Sequence, residues 1–188
     1  MSDADRIDSL PALQAAIWRE LAAAPRKGHP WRLAVLATVD GLSADARSVV
    51  LRHVDAATRE LIFYTDARSP KVAQFERQPE GTMVLWSQPL GWQLRIKVQL
   101  SVATSGLEVS SRWARLKMTP AAQDYLSPLP PGSTLAEAPP RTPTPERSTR
   151  EHFAVVTALV TAVDWLELHA EGHRRAAFDA QGARWLVP

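Results

Sequence analysis

Residues 47–71 read RSVVLRHVDAATRELIFYTDARSPK, and this stretch decides how the chain is built. RSVVLRHV (47–54) and LIFYT (61–65) are rich in β-branched and aromatic residues, and the polar break DAATRE (55–60) separates them, the pattern of two strands joined by a turn. The chemistry then changes. Asp66 to Ser69 leads into a short helix with Ser69 at the cap, Pro70 at the first helical position, and Val72, Ala73 and Phe75 along it until Pro79. A strand that ends in a hydroxyl and feeds a helix start carrying Ser69 and Lys71 suits an anion, because free backbone amides and the helix dipole both favour negative charge.

Working outward, WRLAVLATV (31–39) is a strand and Asp40-Gly41 a hairpin turn, so the quoted stretch continues a three-stranded meander. TMVLW (82–86) and WQLRIKVQLSVA (92–103) are two more strands, turning at Pro89-Leu90-Gly91. Before the barrel, residues 1–25 hold an amphipathic helix with Ser9 as its cap and Leu10, Leu13, Ile17 and Leu21 at helical spacing. Residues 107–126 are helical and broken at Pro120, with Trp113, Leu116 and Tyr125 facing inward. Residues 128–145 hold seven of the 15 prolines, so 128–150 is a loop, lid or arm and not a regular element. FAVVTALV (153–160) and VDWLELHA (163–170) return to strand character, and residues 174–188 form a hairpin turning at Asp179 to Gly182. Six or seven strands with two to four short helices imply one mainly β domain over residues 1–188, a β-barrel with helical trim, since closure removes exposed edges.

The net charge of the 188 residues is +2, which excludes a protein that coats polyanions along its whole length. The charge is unevenly spread. Residues 26–117 carry 14 bases against 8 acids, while the flanking segments are each net acidic. No cysteine is present, so disulfides, thiolate metal sites and a cysteine nucleophile are excluded. No basic-then-apolar leader and no run approaching ~20 apolar residues is visible, and the expectation is a soluble cytoplasmic protein without a membrane span.

Arg47 and Arg52 have opposite parity, so a regular strand cannot point both into one site unless a bulge, the strand end or a partner chain intervenes. His169 and His173 are four apart, but they lie in a strand-then-turn pattern and so share no helix face, and no metal site is expected there. The seven tryptophans sit mainly at apolar spacing, as core or interface.

The order RSVVLR, LIFYTDARSPK, WQLRI (92–96), VDWLEL (163–168) and HRRAAF (173–178) resembles the FMN-binding split barrels of the pyridoxamine 5'-phosphate oxidase type, in a divergent branch, over residues 30–188. The resemblance implies a six-stranded, Greek-key-like split barrel with short flanking helices and a homodimer with FMN in clefts at its interface. It implies that Arg47, Ser48, Val49, Val50, Leu51 and Arg52 lie along the flavin and its phosphate, and that Tyr64 and Thr65 stand beside the flavin. Ser69 and Lys71 match the pair that grips the phosphate, with Pro70 in place of the usual Arg; Gln93, Trp165 and Arg175 match residues that complete the site. The oxidases hold substrate with an Arg-x-His-x-Arg pattern, whereas the positions here are Glu171, His173 and Arg175. A carboxylate there repels a substrate phosphate. Arg112 or Arg115 is the candidate replacement, and His173 is the candidate proton-exchanging group. The expected function is a flavin-dependent oxidoreductase of altered small-molecule substrate; an FMN store or sensor and a nucleic-acid-binding barrel are the rival readings.

Overall fold

A computed structural model describes residues 6–135 and 150–188. The helix α1 (Leu10–Ala23) is followed by strands β1 (Leu33–Asp40), β2 (Ser43–Asp55) and β3 (Glu60–Asp66), then helix α2 (Pro70–Arg77). Strands β4 (Glu80–Ser87) and β5 (Trp92–Ala103) precede helix α3 (Leu107–Leu116), a 3₁₀ turn at Pro120–Tyr125, and strands β6 (Phe153–Glu167), β7 (Arg174–Asp179) and β8 (Gly182–Leu186). The strands run β3-β2-β1-β4-β5-β6-β7-β8, and β3 also pairs with β6. Six strands therefore close a ring, and β3-β2-β1-β4 has the order of a Greek key.

The expected six strands are the closed ring alone; eight are present, because the β7–β8 hairpin continues the sheet from β6. The split lies in β6. One edge of this 15-residue strand pairs with β5, while its other edge pairs with β3 over Phe153 to Leu159 and with β7 over Val163 to Glu167. The two strand runs expected at 153–160 and 163–170 are thus one continuous strand, bulged at Thr161 opposite Lys97 and Val98.

Alternation explains which residues fill the barrel. Along β5, Trp92, Leu94, Ile96, Val98 and Leu100 are buried while the intervening positions are open, and they join Leu36, Leu51, Phe63, Met83 and Trp165 in one core. The helix α1 adds Leu13, Ile17 and Leu21 to that core, and Ser9 caps it by accepting from the Ala12 amide at 3.5 Å. A second cluster forms outside the ring, where Val109, Trp113, Leu116 and Ala122 cover Ile62, Phe153 and Val155. This packing carries the segment after α3 across the end of β3.

The β4–β5 turn depends on Gly91, whose φ is +64°; a Cβ there would lie 2.6 Å from the Leu168 carbonyl oxygen. The Leu168 amide also donates to the Gly91 carbonyl at 2.8 Å, so neither chain can retreat without losing that bond. Gly91→Ala is expected to destabilise the fold by about 2 kcal/mol or more, measured as a lowered urea midpoint at unchanged slope.

Candidate functional site

At the end of β3 a cleft of about 170 Å³ opens between β2, β3, α2 and the 3₁₀ turn after α3. Ser48, Val50, Arg52, Tyr64, Thr65 and Lys71 line it, joined by Asp124 and Tyr125. Two larger clefts, of about 230 and 510 Å³, lie elsewhere and contain none of the expected site residues. The chemistry selects the smaller one.

Its base is the start of α2. Ser69 occupies the N-cap position but makes no side-chain cap, because its Oγ accepts from Lys71 Nζ at 2.6 Å. Lys71 Nζ also donates to Thr65 Oγ1 at 3.2 Å, so ammonium, two buried hydroxyls and a helix start converge. Burial, and then the positive charge of Arg47, hold the Lys71 pKa below the ordinary lysine range. An anion set here restores the charge that the site already disfavours.

The parity problem of the two arginines has a local answer. The pairing of β2 with β3 steps from Leu51↔Phe63 to His53↔Ile62, which leaves Arg52 as the extra residue of a bulge. Its guanidinium carbon lies 5.8 Å from the Tyr64 ring centroid, and among the described residues its buried Nε has no hydrogen-bond partner. Arg47 goes the other way. Its Nη1 donates to Thr38 Oγ1 at 2.6 Å and its Nη2 to Gln74 Oε1 at 2.8 Å and to the Asp45 carboxylate, while Gln74 Nε2 donates to Asp45 at 2.9 Å. Arg47 therefore contributes charge beside Lys71, with its Nη donors engaged by protein.

Val49 meets the cleft from a side chain that is otherwise core, and Leu51 is wholly inside the barrel. Gln93 and Arg175 lie outside this cleft. Trp86, Gln93, Leu166, Arg175 and Leu186 form one row across five strands, on the outer face of the sheet, and Arg175 is held by Asp164 through bonds of 3.0 and 2.6 Å. Trp165 is one residue out of that row and fully buried, its ring edge-on to Trp92 at 5.5 Å. His173 stands in the exposed turn before β7, where its Nδ1 accepts from the His169 amide. Arg112 is paired with Glu108 along α3, and neither it nor Arg115 lines the cleft. Among the described residues no group of three His, Cys, Asp or Glu side chains is placed to hold a metal, and no helix is long and apolar enough to cross a membrane.

Besides the core residue Phe63, the lining residues that sequence reasoning missed are Asp124 and Tyr125. Burial raises the Tyr125 pKa, a hydrogen bond with Arg52 opposing it, and the ring packs against Tyr64 and Phe153 at 6.4 and 5.5 Å. Only the packing of α3 on β3 and β6 brings them here, and no local motif marks it.

The family model for the pyridoxamine 5'-phosphate oxidase FMN-binding domain matches residues 11–104, half of the chain and all of the cleft's β2, β3 and α2 residues. Among solved structures, a pyridoxamine 5'-phosphate oxidase-related, FMN binding protein from Nostoc punctiforme shares the fold, with a TM-score of 0.72 at 24% identity over 93% of this chain and 96% of its own. PhzG from Burkholderia lata, solved with tetrahydrophenazine-1-carboxylic acid, does so with a TM-score of 0.68 at 18% identity, over 100% of this chain and 97% of its own. A comparison with curated proteins returned no match.

Proposed function

Because the chain belongs to the pyridoxamine 5'-phosphate oxidase FMN-binding family, we propose that it binds FMN with the phosphate at Lys71 and acts as a flavin-dependent oxidoreductase whose substrate is not pyridoxamine phosphate. The observation that carries this reading is the convergence of Lys71, Ser69 and Thr65 at a helix start whose cap hydroxyl is turned to the lysine. The donor set fits a phosphate monoester, and the orphaned Arg52 Nε is a second donor awaiting an acceptor in the same cleft. When bound, the flavin supplies hydride and electron chemistry. Lys71 anchors the anion, Arg47 reinforces it at a distance, and Tyr64 with Arg52 forms a flat cationic wall. Tyr125 and Asp124 close the opposite side. Glu171 stands where the oxidases carry a substrate-binding Arg, which argues against a phosphorylated substrate.

The reading includes a homodimer. A cleft of about 170 Å³ is small beside the ~300–1,000 Å³ usual for a cofactor-sized ligand, so it needs a further wall. Ser48 and Val50 share the outer sheet face with Leu33, Val35 and Trp86, which are 58%, 43% and 44% exposed, and with Gln93 and Arg175. A second copy packed on that face covers the apolar residues and brings its Gln93 and Arg175 toward the cleft.

Purified protein mixed with FMN is expected to take it up stoichiometrically, with quenched flavin fluorescence and a shifted visible spectrum. A spectrum unchanged at saturating FMN refutes the reading. Bound flavin that no reduced nicotinamide bleaches supports the store or sensor instead.

A further inference from the structure

We propose that Arg68 is a positioning residue that latches the outer wall of the cleft, Asp124 to Leu129, to the strand forming its floor, and so sets how open a ring bound there is to solutes. At the end of β3, Asp66 is 4% exposed and accepts at Oδ1 from the Arg68 amide at 2.8 Å and Nε at 3.1 Å, and at Oδ2 from Nη2 at 2.7 Å. Burial alone raises the Asp66 pKa, but the bonds from Arg68 outweigh it and keep the carboxylate ionised.

The rest of the guanidinium reaches across to main chain. Nη2 donates to the Ser127 carbonyl at 2.7 Å and the Leu129 carbonyl at 3.4 Å, and Nη1 to the Pro128 carbonyl at 3.1 Å. Three successive carbonyls therefore share one cation. The turn they belong to is closed on itself, with Ser127 Oγ donating to the Leu129 carbonyl at 2.9 Å and accepting from the Leu129 amide. Asp124 and Tyr125, which line the cleft, precede it with only Leu126 between. The apolar part of the attachment is the Tyr125 ring against Tyr64 and Phe153, with Leu126 partly buried beside it, and it ends there: the residues from Ser127 to Leu129 are exposed and held by Arg68. Arginine suits the task because its planar fork engages a carboxylate on one edge and carbonyls on the other, which an ammonium cannot do at once. The Pro-rich stretch begins at Pro128, so the latch holds its first residues; 136–149 lie outside the described residues.

The part concerning the ring rests on the FMN reading; the part concerning the wall does not. Hydrogen exchange of the cofactor-free protein tests the wall. Arg68→Ala is expected to speed exchange at residues 124–135 about tenfold with the strand amides unchanged, and Arg68→Lys to give an intermediate increase. Unchanged exchange at 124–135 in both variants overturns the latch, as does a loss of protection spread evenly over the chain in Arg68→Lys. With FMN bound, iodide quenching of the flavin is expected to rise at least about twofold in Arg68→Ala while the ratio of FMN to riboflavin affinity holds. Faster exchange without added quenching overturns the claim about access. Wild-type protein that takes up no FMN refutes the functional reading and leaves the exchange result to judge the latch.

Discussion

Lys71→Met is expected to weaken FMN about a hundredfold and riboflavin less than about threefold, read by fluorescence titration of the two ligands side by side. The asymmetry follows from where Lys71 sits. Among the described residues its ammonium donates to the neutral hydroxyls of Ser69 and Thr65, while the charges of Arg47, Asp66 and Asp45 act on it without a direct hydrogen bond. A charge-assisted bond to a dianion contributes roughly 1.5–3 kcal/mol, and about 3 kcal/mol is two decades of affinity. Riboflavin lacks the phosphate and loses only packing. Equal losses for both ligands would put the phosphate elsewhere.

The same residue sets a pH dependence. Lys71 carries a lowered pKa without an anion, caused first by burial and then by Arg47. An anion binds best to the protonated form, so FMN affinity is full below this lowered value and declines as pH rises through it, earlier than an ordinary lysine allows. In Lys71→Met that alkaline decline should vanish. Its persistence would assign the titration to another group.

How far these roles could be read in advance depends on whether a residue's position is decided by its own segment. β5 was legible to the residue, because strict alternation from Trp92 to Ala103 fixes both its length and its buried face. The anion-binding start of α2 was legible too, since Ser69, Pro70 and Lys71 act within one turn. Arg52 was legible as a candidate with a bulge as one of three ways in, but the choice of the bulge was not, because it exists only in the register between β2 and β3, which neither strand encodes alone. Ser69 read as an ordinary cap, and its competing bond to Lys71 appears only once α2 folds against β3. Trp165 and Arg175 looked alike as site residues, yet opposite parity on β6 and β7 buries one and leaves the other on the outer face. The 174–188 hairpin was legible, but its place in the sheet was not. β6 is shared by two partners along one edge, and such sharing leaves no mark in local periodicity.

Glu167 had no signature at all, and its replacement is expected to have the largest effect on stability. It is 2% exposed at the end of β6, where Oε2 accepts from Arg6 Nη2 at 2.9 Å and Arg174 Nε at 2.8 Å, and Oε1 accepts from the Trp92 indole at 3.3 Å. One carboxylate thus ties the segment before α1 to β5 and β7. Arg174 also lies 5.8 Å from the Trp165 ring and 5.9 Å from that of Trp185, so it cannot turn away without disturbing the aromatic packing. Removing one partner of a buried ion pair typically costs about 3–5 kcal/mol; here Arg174 keeps Asp8 at 2.9 Å and the Ile7 carbonyl at 3.2 Å, and Arg6 keeps the Gly172 carbonyl at 2.9 Å, which holds the loss to the low end of that range. Glu167→Gln should therefore lower stability by about 3 kcal/mol, measured by urea denaturation near neutral pH. Burial by itself would raise the Glu167 pKa, but the bonds from Arg174 and Arg6 prevail and depress it. A depressed carboxylate stabilises the fold above its unfolded pKa, and that contribution is lost as pH falls through the folded value. The gap between wild type and Glu167→Gln should accordingly narrow on acidification below the usual carboxylate range. A gap that stays constant there would mean that the loss comes from packing and not from the charge.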